Sequence, residues 1–175
     1  STPCPVGTFG TQTGAVSVAI CALAYAGSYV DTPGSSSVTF CPLGTYNPRT
    51  GANSSSWCLD ADPGHYVDRQ GQYVQEMCPP GTYNPQTGSI SKSDCFITAP
   101  GHYSPAAGQA NQTPCPEGTY QPNTNSTSCL EAGAGRYANG TGNIGALPCP
   151  SGTYNPNPTS TNEGDCISVE PGYYA

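Results

Sequence analysis

Ten cysteines recur along this chain at steps of 17 and 20 residues, and no other feature constrains the fold as strongly. They stand at 4, 21, 41, 58, 78, 95, 115, 129, 149 and 166, with one shortened step of 14 between Cys115 and Cys129. Self-similarity at a fixed period marks a tandem array of small units rather than one continuous core. One repeat is 37 residues long and opens at Cys4, Cys41, Cys78, Cys115 and Cys149. The chain therefore divides into 1–40 (divergent and more apolar), 41–77, 78–114, 115–148 (shortened to 34 residues) and 149–175 (incomplete).

Composition explains why cysteines must do this work. Leu, Ile, Val and Phe make up 21 of 175 residues, too few to bury an ordinary core. Gly (22) and Pro (19) argue against long helices or strands. Covalent cross-links supply the missing order, and an even cysteine count at regular spacing points to an oxidising, extracellular compartment. A net charge of −7 with four basic residues excludes nucleic acid as a partner and disfavours anionic membranes. The longest apolar stretch, residues 15–26, falls short of a membrane span and contains Ser17. The chain opens at Ser1 rather than Met, which reads as a processed product or a fragment.

Each repeat splits in two. Gly-x-Tyr followed five residues later by Gly occurs at Gly44/Tyr46/Gly51, Gly64/Tyr66/Gly71, Gly81/Tyr83/Gly88 and Gly101/Tyr103/Gly108. Half-repeats that open with Cys-Pro-x-Gly hold both cysteines; those that open like Ala61-Asp62-Pro63-Gly64 hold none. Pro63-Gly64 and Pro100-Gly101 preset type II turns, and Cys-Pro-x-Gly fits a type I turn with Gly in fourth place. Strands of three to four residues are expected at Thr-Tyr and just before each cysteine, as at 91–95. Each half-repeat then forms one hairpin centred on its aromatic residue and meets only the half-repeats before and after it.

The Cys-Pro-x-Gly-Thr-Tyr and Pro-Gly-x-Tyr phrases, recurring over nearly the whole chain, resemble the ephrin type-A/B receptor-like cysteine-rich repeat, a module in the style of tumour-necrosis-factor-receptor repeats. Members of that family carry Cys-x-x-Cys-Pro at each junction. Here the second cysteine is replaced, at Ala24, Ala61, Thr98, Ala132 and Ser168, and the half-repeat that follows lacks its closing cysteine as well. With that departure, the resemblance implies bridges within half-repeats: Cys4–Cys21, Cys41–Cys58, Cys78–Cys95, Cys115–Cys129 and Cys149–Cys166. A ladder beginning Cys21–Cys41 would leave Cys4 and Cys166 single. The fold class is a small disulfide-rich all-β or irregular protein, an elongated rod of tandem short hairpins.

Chemistry beyond the disulfides is sparse. His65 and His102 share the phrase Pro-Gly-His-Tyr, but Ser28, Arg136 and Tyr173 fill the matching sites, so these histidines read as surface turn residues. Asp60, Asp62 and Asp68 lack the ligand spacing of a calcium loop. The cysteines are too far apart for a zinc site, and no catalytic set converges. No enzyme activity, metal or cofactor is expected beyond covalent glycans. Sequons at Asn53, Asn111, Asn125 and Asn139 are the candidate acceptors, Asn111 being weakened by Pro114 directly after Thr113.

The first repeat is apolar where its counterparts are polar. Val16, Val18, Ile20, Leu23 and Tyr25 form a candidate assembly contact, or else a capping unit packed on itself. The leading expectation is an extracellular structural glycoprotein that builds a filament, surface coat or appendage, with itself (head-to-tail or laterally) or other extracellular glycoproteins as partners. The alternative, natural to the resemblance, is a ligand-binding or adhesive ectodomain or stalk of a cell-surface receptor.

Overall fold

Both kinds of half-repeat open with the same turn. In Pro42-Leu43-Gly44-Thr45 the Thr45 amide donates to the Pro42 carbonyl at 3.2 Å, and Gly44 sits at φ 78°. In Asp62-Pro63-Gly64-His65 the His65 amide donates to the Asp62 carbonyl at 3.0 Å, with Gly64 at φ 82°. Glycine at positive φ in third place is the type II pattern. The type I assignment for Cys-Pro-x-Gly is thereby corrected. The turn starts on the proline, because only then does Gly occupy the position that requires positive φ. The Thr45 hydroxyl donates to the same Pro42 carbonyl at 2.8 Å.

The structure, a computed structural model, describes residues 2–10 and 20–173. Among these, no α-helix forms, and the turns feed nine two-stranded antiparallel sheets whose strands are two residues long. Thr45–Tyr46 pairs with Leu59–Asp60, and His65–Tyr66 with Glu76–Met77. Strands directly precede Cys41, Cys78, Cys115 and Cys149 as expected, but in the bridged half-repeats the second strand follows the closing cysteine, which corrects the expectation there. The stretch before Cys95 is a 3₁₀ turn, Lys92–Asp94. The Asp94 carboxylate accepts from the amides of Ile90 (2.9 Å) and Ser91 (3.0 Å), which satisfies donors that a strand would otherwise use.

The chain divides into two compact units: Ser1–Met77 with Pro85–Asp94, and Cys78–Asn84 with Cys95–Ala175. Within the first, the amides of Gly7, Gly27 and Gly44 donate to the carbonyls of Val30, Asn47 and Val67 in the next half-repeat, at 2.7, 2.7 and 2.9 Å. The amides of Gly51, Gly71 and Gly88 donate back to Ala24, Cys41 and Ala61. The second unit repeats the scheme, with Gly81, Gly101 and Gly118 donating to Ser104, Gln121 and Ala138.

Contacts reach further than adjacent half-repeats, which corrects the nearest-neighbour expectation. A Cβ on Gly7 would come 2.5 Å from the Gly51 carbonyl oxygen, two half-repeats along, and one on Gly27 would overlap the carbonyl of Gly71. Backbone lies directly on backbone there, and any side chain would force the two apart.

Small residues fill the interior that this close approach leaves. Ala24, Cys41, Ala61, Cys78, Thr98, Cys115 and Ala132, the first residues of successive half-repeats, are all 0 % exposed. From Tyr29 to Tyr154 the residue after the aromatic is buried too: Val30, Asn47 and Val67 in the first unit, and Asn84, Ser104, Gln121, Ala138 and Asn155 in the second. The aromatics themselves mostly lie half-buried at the flank, with Phe9 and Tyr137 the buried ones. The picture of half-repeats centred on an aromatic is corrected accordingly, since the glycine contacts draw the backbones too close to admit a ring. The fifth position of the junction series is Val169, whose amide donates to Gly152 as that of Ala24 does to Gly7; Ser168 instead closes the preceding strand pair.

Candidate functional site

The five bridges join Cys4 to Cys21, Cys41 to Cys58, Cys78 to Cys95, Cys115 to Cys129 and Cys149 to Cys166, with Cα separations of 5.5 to 5.8 Å. Each ties the first residue of a half-repeat to the residue just before its second strand. In the unbridged half-repeats that second place holds Val38, Gln75, Gln112 and Ala146. Gln75 acts as a polar clamp. Its Oε1 accepts from the Asp62 amide at 2.7 Å, and its Nε2 donates to the Asp62 carboxylate at 2.6 Å. Gln112 takes the Ala99 amide at 2.8 Å in the same way. Val38 packs instead against the cluster of Phe9, Ala24 and Val30. At the fourth site Arg136 donates to the Ala146 carbonyl at 3.0 Å. This glutamine substitute for a cystine carries no motif, since a lone Gln has no partner visible in sequence.

All four sequon asparagines are exposed, but their settings differ. Asn125 sits at φ 55° in the place that glycine holds at Gly51, Gly71, Gly88, Gly108 and Gly142. A Cβ on Gly81 would come 2.6 Å from its Oδ1. Asn111 lies two residues before the strand Thr113–Pro114, and Asn139 follows the buried Ala138. Asn53 is held from the side: the Trp57 Nε1–H donates to its Oδ1 at 3.2 Å, and the Arg49 guanidinium lies over the Trp57 ring, 5.0 Å from its centroid. Arg49 is itself anchored, its amide donating at 3.0 Å to the side chain of the fully buried Asn47.

The apolar candidates are placed in part. Val16 and Val18 lie outside the described residues. Ile20, Leu23 and Tyr25 are exposed, yet two of them also pack within their own compact unit. The Tyr25 ring meets Phe9 edge-on at 5.2 Å, and Leu23 reaches to 3.2 Å from where a Cβ on Gly51 would stand. Exposed apolar residues on second strands are not peculiar to the first repeat, because Leu59, Met77, Phe96, Leu130 and Ile167 occupy the same strands elsewhere.

His65 and His102 lie on first strands, each with Nδ1 within hydrogen-bonding distance of the carbonyl of the proline two residues before it (3.1 and 3.2 Å). Asp62 is engaged by Gln75, and Asp68 faces Arg69 at 3.8 Å on the surface. Among the described residues no group of three or more His, Cys, Asp or Glu converges, and no helix is long and apolar enough to cross a membrane. At Tyr66 burial raises the phenol above its ordinary value, and the charges of Glu76 and Asp68 add to it.

No curated protein matches the chain. Residues 101–146 match the family model described as tyrosine-protein kinase ephrin type A/B receptor-like, a receptor-type ectodomain module rather than a catalytic family. That stretch takes in the Gln112 clamp and the Cys115–Cys129 bridge. With the same turn and hairpin recurring on both sides of it, the chain fits an ephrin-receptor-like cysteine-rich repeat.

Proposed function

We propose that the chain is an adhesive or ligand-binding part of an extracellular protein, an ectodomain or stalk whose disulfides and backbone contacts hold a repeated surface in fixed register. The observation that carries this reading is the match of residues 101–146 to a receptor-type ectodomain module. Five cystines support a secreted or cell-surface location. The exposed second strands are the faces on which a partner would sit. The sequon asparagines are the places where glycans would keep the remainder hydrated, making the protein a glycoprotein.

Self-assembly into a filament or coat is the second reading, favoured by the apolar side chains on those strands. Leu23, Phe40 and Met77 are each more than half exposed, and exposed apolar side chains that join into a patch commonly mark contact surfaces. Sedimentation and negative-stain microscopy of the secreted chain separate the two. A concentration-independent monomer supports the ectodomain reading, and filaments support assembly. Filaments that persist after Leu23→Asp and Phe40→Asp are introduced together would remove the strand faces as the assembly contact.

A further inference from the structure

Asn53, Trp57 and Arg49 form a built arrangement that no other sequon has, because Trp57 is the chain's single tryptophan. The three are exposed but not loose. Buried Asn47 holds the Arg49 backbone, the Arg49 guanidinium lies over the indole, and the indole N–H grips Asn53 Oδ1. The Trp57 amide also donates to the Ser54 carbonyl at 3.2 Å, which fixes the 3₁₀ turn Ser55–Trp57 that carries the ring.

We propose that this arrangement seats an N-linked glycan on Asn53, with Trp57 as the residue that orients the first sugar. The inference rests on the glycoprotein reading above. Transfer forms a bond between Asn53 Nδ2 and the anomeric carbon of an N-acetylglucosamine carried on a lipid diphosphate. The sugar–phosphate bond breaks, the lipid diphosphate leaves, and the amide gives up one proton to the transferase; nothing is oxidised or reduced. The carboxamide oxygen takes no part in this bond, so the hydrogen bond from the indole survives it. With Oδ1 held toward Trp57, the first sugar is restricted to positions close to the ring. Trp57 is 38 % exposed, and the apolar surface of its indole suits the C–H face of a pyranose, as aromatic surface suits other amphipathic groups.

The test uses the chain secreted from a eukaryotic host that glycosylates. Glycopeptide mass spectrometry reads occupancy at Asn53, and fluorescence of the single tryptophan reads the seating. Ser55→Ala removes the acceptor sequon and leaves both Asn53 and Trp57 in place; Thr141→Ala does the same at Asn139 and serves as control. The expected result is an occupied Asn53, with Ser55→Ala shifting the emission to the red and raising acrylamide quenching about twofold as the ring loses its cover. Thr141→Ala should leave both unchanged. As a second measurement, an amidase should release the Asn53 glycan faster from folded Trp57→Phe than from the unaltered chain. An unmodified Asn53 would overturn the glycoprotein reading at this site and the seating with it. An occupied Asn53 with identical emission and quenching in Ser55→Ala would overturn the seating alone.

Discussion

The bridged half-repeat 41–60 and the unbridged half-repeat 61–77 stand next to each other in one compact unit and differ less than their cysteines promise. Both open on a type II turn, both pair two-residue strands, and Cys41 and Ala61 are equally buried. The bridged hairpin loop is longer by three residues, running from Tyr46 to Leu59 against Tyr66 to Glu76, and the extra length holds the 3₁₀ turn. Closing that longer loop costs only about 0.2 kcal/mol more by the logarithmic law. A disulfide contributes roughly 3 kcal/mol, so loop length is not what the bridge compensates. The half-repeat opened by Cys115 makes the same point, since its loop is as short as the unbridged ones and it keeps its bridge. What both kinds share is the glycine contact, and that contact decides the conformation.

The hardest blow to this comparison would come at the glycines. Gly27→Ala, in an unbridged half-repeat, and Gly44→Ala, in a bridged one, should each cost about 4 kcal/mol or more, because the new Cβ overlaps backbone that cannot yield. Gly133→Ala, with nothing within 4 Å, is the control. Denaturant unfolding measures all three, and a Gly44→Ala variant rescued by its disulfide would break the argument. Converting one kind of half-repeat into the other is next. Ala61→Cys with Gln75→Cys has the 14-residue separation of Cys115–Cys129. It should form a sixth bridge, seen as a mass loss of two hydrogens, and gain about 3 kcal/mol.

Smaller effects sharpen the comparison. Gln75→Ala removes the clamp on Asp62 and should cost about 1 kcal/mol, read as faster amide exchange at Asp62. Thr159 holds φ 60° where most half-repeats place glycine, and a β-branched residue is strained there. Thr159→Gly should gain up to about 1 kcal/mol in melting experiments. The smallest effect is at Tyr66. Its phenol is raised in the folded state, so its contribution is fully present below the unfolded value near 10 and is lost as pH climbs through the folded value. Stability should fall across that alkaline window, and Tyr66→Phe should flatten the fall.

Much of this was legible in advance for a physical reason. Cysteine spacing and Gly-x-Tyr phrases are local, and a turn that needs positive φ declares itself through Gly64 or Gly101. The strand positions were less legible. Residues 91–95 look extended until the Asp94 carboxylate is seen taking two amides of its own loop. The substitutes for cystine were not legible at all. Gln75 and Gln112 are ordinary polar residues until the fold brings each beside the turn it clamps. Asn53 was one sequon among four until the indole of Trp57 met its side-chain oxygen.

Spacing and composition point to many small cysteine-rich hairpins and to too few aliphatic residues for a large apolar core, and the resemblance adds which cysteines pair. Those properties follow from which residues are present and how far apart they stand. The folded chain alone decides that within each unit small residues such as Ala, Cys, Val, Ser and Asn take the buried places, and that most of the aromatics stay half-exposed. That choice depends on backbone hydrogen bonds and glycine contacts between residues some twenty to forty positions apart. The recurring glycines mark where the backbone can approach, but main-chain amides and carbonyls carry no side-chain signature, so which glycine meets which carbonyl is not written in the order of side chains.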